Sequence, residues 1–206
     1  MKNNFLDHIF NLGNVKRFSN KRVVCSRSVA EHMFTVAHMV MIIGNEENVR
    51  GRECNVDEAL RKAICHDIPE SVTGDIIYPI KHYDEEIRNK LVEIEENAVK
   101  SKILSHLPKQ LQELYSDHIL NCKEGKAGKL VALCDMLDIL YHCSIERVLG
   151  NQSVWVYDVF SKTEVLLQKP LGEFPSAKKY YSHIRDIFYN PQANDCGEEK
   201  SNESDE

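Results

Sequence analysis

The chain reads as an all-α protein of about six to eight helices. Three observations predict this. Apolar residues recur at helical spacing in one segment after another, helix-start signatures precede two of those segments, and no stretch combines two-residue alternation with hairpin turns. The segment "SVAEHMFTVAHMVMIIGN" opens at Ser28 with Glu31 three residues on, the pattern of a capping box. The residues after this box are apolar nearly all round, which predicts a central helix ended by Gly44 and Asn45. In "NVDEALRKAICHD" Asn55 is the N-cap and Glu58 the third helical residue. Val56, Ala59, Leu60, Ala63 and Ile64 make the apolar stripe. Pro69 disfavours helical geometry at Ile68, so this helix is expected to stop near Asp67.

Residues 84–106 read as one long amphipathic helix. Ile87, Leu91, Ile94 and Ala98 form its apolar face, and Glu86 with Lys90 and Glu96 with Lys100 are i,i+4 pairs. Pro108 separates it from a shorter helix in "KQLQELYSDHILN". The loop "CKEGKAG" leads into a second buried helix, "KLVALCDMLDILYHCSIERVLGN". "VWVYDVFSKTEVLLQK" and "AKKYYSHIRDIFYN" complete the set, the former despite a β-branched and aromatic start at 153–160. The body, 1–190, is expected to be one domain, with 191–206 an acidic, disordered tail that has no apolar face.

Composition narrows the function. The formal net charge of the 206-residue chain is −6, and residues 191–206 carry six acids and one Lys, leaving about −1 for the body. That balance predicts no basic surface for a nucleic-acid polymer. The seven Cys include no CxxC pair, and Cys134 and Cys143 sit in apolar runs as small hydrophobes. Such usage fits a reducing cytoplasm. The N-terminal "MKNNFLDHIFNLGN" is too polar for a signal peptide, and no apolar run reaches the ~18 residues of a membrane span.

Chemistry concentrates in "CHDIPESVTGD", Cys65 to Asp75. His66 and Asp67 offer an imidazole and a carboxylate at a helix end, a pair suited to Mn, Co, Fe or Zn; taken alone, such a pair is more often an ordinary helix-surface dipeptide. His32 lies in the first turn of a buried helix. Asp135 lies among apolar neighbours in "LVALCDMLDIL", where a carboxylate needs an ion partner or a metal. Asp138 shares its face and is the reserve ligand. His38 and His142, on apolar faces, read as core histidines.

The order H…HD…D resembles the HD-domain metal-dependent phosphohydrolases. "RF" at 17–18, "SVAEH" at 28–32, "HDIPESVTGD" at 66–75, "YPIK" at 78–81 and "LCDML…GN" at 133–151 are similar, in order and spacing, to the YfbR-like 5′-deoxynucleotidases. The likeness spans about residues 5–190. It implies one divalent ion, such as Co or Mn, held by His32, His66, Asp67 and Asp135. It implies Glu70 as the base that orients water and Arg17 as the phosphate-holding cation. Arg17, Phe18, His32, Asp67, Asp75, Ile76, Ile77, Tyr78 and Asp135 are the implied substrate contacts. Phe18 stands where the family commonly has Trp, which keeps an aromatic wall but loses an indole N–H. Ile77 and Tyr78 depart from a Pro-Thr pattern. The implied substrate is a deoxyribonucleoside 5′-monophosphate and the implied assembly a homodimer, for which the Tyr/Phe-rich C-terminal helix is the candidate surface. The alternatives are a deoxynucleoside triphosphate hydrolase on the same site and a non-catalytic nucleotide or metal sensor.

Overall fold

The computed structural model describes residues 4–76 and 83–194, and among them nine α-helices and no β-strand. They are α1 (Phe5–Asn11), α2 (Val29–Val49), α3 (Val56–Ala63), α4 (Glu70–Thr73), α5 (Glu85–Ala98), α6 (Lys109–Leu120), α7 (Gly125–Val148), α8 (Val154–Glu173) and α9 (Lys178–Tyr189). The all-α expectation holds. No described helix is long and apolar enough to cross a membrane.

Helix α7 is the axis of the bundle, packed against α2, α3, α8 and α9. Its Leu130, Val131, Leu133, Cys134, Leu137, Leu140 and Cys143 are buried in the main core, as the apolar run predicts. A second apolar cluster gathers Leu12, Val29, Met33, Cys65, Ile68, Val99, Ile103, Leu104 and Ile119. The start of α2 and the turn after α3 belong to this second cluster, while the rest of α2 and α7 belong to the first. The segments carrying His32, His66 and Asp135 therefore meet where the two clusters adjoin.

Several boundaries differ from the expectations. The Ser28 capping box forms, with Ser28 Oγ accepting from Glu31 N at 3.2 Å and Glu31 Oε2 accepting from Ser28 N at 2.6 Å. Yet α2 runs on to Val49. Gly44 does not end the helix; a Cβ there would lie 2.9 Å from Val56 Cγ2 and 3.1 Å from Leu130 Cδ2, so glycine lets α3 and α7 come close. Helix α3 stops at Ala63, before the expected Asp67, because the chain passes into tight turns in which Cys65, Ile68, Glu70 and Ser71 hydrogen-bond three residues back. Pro69 does not break a helix. With φ −54° and ψ −31° it is the N-cap of α4, where its missing N–H costs nothing.

The expected helix 84–106 is regular only over Glu85–Ala98. A π-turn (Val99–Ile103) and a 3₁₀ turn (Leu104–His106) follow, and this change of pitch brings Val99, Ile103 and Leu104 together into the second core. No residue of α5 is buried, and its apolar Ile94 is 51% exposed. Lys100 pairs with Glu96 as expected, while Lys90 pairs with Glu93 instead of Glu86. Helix α7 begins at Gly125, inside the expected loop. The apolar stripe of α9 is turned inward, with Ile184, Ile187 and Phe188 buried and Phe188 stacked on Phe160 at 3.6 Å between ring centres, while Tyr189 stays half exposed. The first residues of the expected tail form a 3₁₀ turn, Pro191–Asn194, packed on α7 and α9. His142 is buried as expected, but His38 is exposed and bonds the Phe34 carbonyl.

Candidate metal centre and active site

Three pieces of chain bring the ligand-type atoms together. The α2 capping box sets the first turn of that helix and with it His32, which is fully buried. The tight turns after α3 carry His66 and Asp67, and the middle of α7 carries Asp135. His32 Nδ1 donates to Asp138 Oδ2 at 2.7 Å, so Nε2 is the nitrogen turned to the site. His66 Nδ1 donates to the Ala63 carbonyl at 2.7 Å, which turns its Nε2 the same way. The two Nε2 atoms lie 3.2 Å apart. Asp67 Oδ2 is 3.3 Å from His66 Nε2 and 3.4 Å from His32 Nε2, and Asp135 Oδ1 is 3.4 Å from His32 Nε2.

These spacings fit a divalent ion. Two ligand atoms about 2.1 Å from one ion and about 90–110° apart are separated by about 3.0–3.4 Å. His32, His66 and Asp67 each offer one atom within 4.8 Å of the others, and Asp135 faces the same position. Ring N–H bonds to Asp138 and Ala63 on the far side of both imidazoles are the usual support of metal-ligating histidines.

The electrostatics are those of a cation site. Burial and the Arg17 charge both lower the His32 pKa, yet hydrogen bonds to Asp135, Asp138 and Asp67 outweigh them and raise it to about 10. Burial pushes the Asp67 carboxyl up, but His66 and His32 hold it well below the usual range. For Asp135 burial is again opposed, chiefly by Lys123 and then by His32, and the outcome is likewise well below the usual range. Positive charge is thus favoured where the four side chains converge.

Arg17 closes one side. Its Nη1 is 3.2 Å from Asp67 Oδ2 and its Nη2 4.0 Å from Asp135 Oδ1. Burial tends to lower its pKa, but Asp67, Asp135, Glu70 and Asp75, in falling order, raise it, so all four acids converge on this guanidinium. Glu70 is buried at the head of α4.

Phe18 adopts φ +54°, the single left-handed non-glycine among the described residues, a conformation that costs on the order of 1–3 kcal/mol. Two bonds support it: the Phe18 N–H donates to Asp75 Oδ2 at 3.0 Å, and the neighbouring Arg17 N–H donates to the Arg27 carbonyl at 3.0 Å. The ring is held parallel to His142, 5.0 Å between centres, and against Trp155 at 5.5 Å. One oxygen of Asp75 is thereby used on the backbone 57 residues away, not in a local turn. Ile76 is half-buried, and Ile77 and Tyr78 lie outside the described residues.

Other contacts were not foreseen from the sequence. Asp138, the reserve, stands at the edge of His32 opposite the Nε2 that faces the site. It holds His32 and, through Oδ1, Arg27 Nη1 at 3.0 Å. Its position three residues after Asp135 is the signal that it shares the site's face. Lys123 Nζ reaches Asp135 Oδ2 at 2.8 Å, and nothing in "NCKEGKAG" marks one of its lysines for that contact.

Comparison with known proteins agrees with this geometry. The family model described as 5′-deoxynucleotidase YfbR-like matches residues 4–185. A 5′-deoxynucleotidase of Yersinia pestis is 30% identical over 175 residues, 82% of this chain and 83% of the relative. The crystal structure of an HD-domain phosphohydrolase from Listeria innocua superposes with a TM-score of 0.80 at 28% identity, covering 90% of this chain and 88% of that one. A cyanophage S-2L HD phosphohydrolase, solved with dA and one catalytic Zn2+ ion, shares the fold at a TM-score of 0.66 and 17% identity, covering 89% of this chain and 98% of that one.

Proposed function

We infer the reaction from the premise that this chain belongs to the YfbR-like 5′-deoxynucleotidase family. It is a metal-dependent phosphohydrolase that converts deoxyribonucleoside 5′-monophosphates to deoxynucleosides and phosphate. The observation that carries the reading is the set of four spacings between 3.2 and 3.4 Å joining His32, His66, Asp67 and Asp135 beside Arg17. These four residues hold the ion. When bound, a divalent ion supplies activation of water and neutralisation of phosphoryl charge.

The chain's own residues do the rest. Arg17 donates to phosphate oxygens and offsets their negative charge, which requires it to exchange part of its contact with Asp67. Glu70 accepts the proton of the attacking water. Phe18 presents its ring to the nucleoside, and Asp75 fixes the backbone that aims it. Ile76, Ile77 and Tyr78 are the remaining proposed nucleoside contacts of this reading. Mn or Co fits the mixed imidazole–carboxylate set as well as Zn does.

The enzyme works in the cytoplasm as a homodimer. Support for the dimer comes from α2, where Phe34, Met41 and Ile42 expose an apolar stripe at helical spacing, with Phe34 67% exposed. Light scattering on Phe34→Glu tests it, and a dimer that persists unchanged removes this surface from the interface.

The decisive experiment strips metal, restores Mn or Co, and measures phosphate released from dAMP, AMP and dATP. Release from dAMP with little from AMP is expected. Turnover of dATP alone would reassign the substrate to triphosphates. No turnover of any nucleotide with any divalent ion would leave the site a binding centre only.

A further inference from the structure

We propose that Lys123 is a positioning residue of this centre: its ammonium holds one oxygen of Asp135 so that the other faces the ion. The proposal rests on the ligand set given above. Asp135 divides its two oxygens. Oδ1 lies 3.4 Å from His32 Nε2 and 4.0 Å from Arg17 Nη2, while Oδ2 accepts from Lys123 Nζ at 2.8 Å. A carboxylate anchored in this way offers a single inward oxygen. Released, it would turn about its Cβ–Cγ bond and present either oxygen, or both.

The turn that carries Lys123 is itself held on three sides. From α3, the buried Lys62 sends its Nζ to the Asn121 carbonyl at 2.7 Å and to the Glu124 carbonyl at 3.4 Å. From α7, Gly128 comes so close that a Cβ would lie 2.3 Å from the Lys123 carbonyl carbon and 2.8 Å from the Cys122 oxygen. From the other side, Cys122 Sγ sits 4.0 Å from the His66 carbonyl oxygen. A surface turn of ordinary purpose would leave its carbonyls to water. Here an interior ammonium is committed to two of them, in a place where it needs acceptors to be tolerated. The same clamp links the Lys123 backbone to the His66 turn, so the positions of two ligand-bearing segments are set together.

Charge gives the contact a second consequence. Arg17 and Lys123 offset Asp67 and Asp135, so the charge of a divalent ion is left to meet the phosphate dianion instead of being spent on its ligands.

The test is titration of metal-stripped protein with Co(II), followed by calorimetry and visible absorption, for the wild type, Lys123→Met and Lys123→Arg. Melting of the metal-free forms accompanies it. Lys123→Met is expected to bind Co(II) about 10–100-fold more weakly and to change the absorption band as Asp135 alters its coordination. Lys123→Arg is expected to recover part of the affinity. Lys123→Arg should melt close to the wild type in the metal-free form, whereas Lys123→Met, which leaves the mostly buried Asp135 without this counter-charge, is expected to melt lower, so affinities are compared at a temperature where every metal-free form is folded. Affinity within twofold of wild type with an unchanged spectrum would overturn the proposal. A wild type that binds no Co(II) and releases no phosphate from dAMP would instead overturn the ligand set beneath it.

Discussion

Helix α7 carries two acids on one face, three turns apart, and they do different work. Glu146 is completely buried and fully satisfied. Its oxygens accept from the Val24 N–H at 2.9 and 3.0 Å, from the Cys25 N–H at 2.6 Å and from Asn151 Nδ2 at 2.5 Å. Those donors are neutral amides fixed in the chain, and the result is a clasp holding residues 24–25 to the bundle. Asp135 keeps 14% of its side chain exposed and faces His32 Nε2 and Arg17 with the spacing of ions around a shared centre. Glu47 on α2 resembles Glu146, with its oxygens taken by Arg52 Nε and the Ser176 N–H. Burial of an acid is therefore not what marks function. What stands opposite the carboxylate decides it: closed sets of amide or guanidinium donors make structure, and convergent ligand atoms make a site.

The largest expected effect breaks the reactive side of this comparison. Glu70→Ala should lower dAMP turnover by about 10²–10⁴-fold while Co(II) affinity is retained. Loss of metal in that variant would make Glu70 a ligand and not a base. Next comes the structural clasp. Glu146→Ala should cost on the order of 1–3 kcal/mol in urea unfolding, since three amide donors lose a buried carboxylate acceptor, with Co(II) affinity unchanged. A fall in metal affinity without a fall in stability would erase the distinction between the two acids.

Glu47→Gln sharpens it through pH. Burial raises the Glu47 pKa, but Arg52 and Ser176 outweigh that and leave it below the ordinary 4.5. A depressed carboxylate contributes stability above its unfolded pKa and loses it as pH falls through the folded value. The stability gap between wild type and Glu47→Gln should therefore be full at neutral pH and narrow from about pH 5 to about pH 3. A gap that widens on acidification would contradict the assignment. The smallest effect belongs to the exposed pair Lys90–Glu93, where Lys90→Ala should change stability by less than about 0.5 kcal/mol.

Much of this was legible in the sequence because helices announce themselves locally. The Ser28–Glu31 box and the Asn55 cap appear as predicted, since a cap depends on a side chain and a backbone amide three residues apart. Misjudged boundaries share another cause. Gly44 reads as a stop and is a packing notch, and the turns after α3 and the π-turn at Val99 bury Cys65, Ile68, Val99 and Ile103 in one cluster drawn from distant parts of the chain. Residue type and order, together with the family likeness, single out His32, His66, Asp67 and Asp135, and the structure brings them together.

The sequence by itself determined the helical class, the capped starts of α2 and α3, and the short set of residues able to hold an ion. Periodicity and capping are short-range, and the family's motif order survives in the chain. Only the tertiary structure decided between Asp135 and Asp138. They lie three residues apart on one helix face, and no local rule separates them. Packing of α2 against α7 sets His32 Nδ1 on Asp138 and His32 Nε2 toward Asp135, and one imidazole with two different edges thereby puts one acid behind the ring and the other beside the converging ligand-type atoms. The same long-range packing, and nothing local, brings Lys123 onto Asp135 and gives the Glu146 carboxylate its amides.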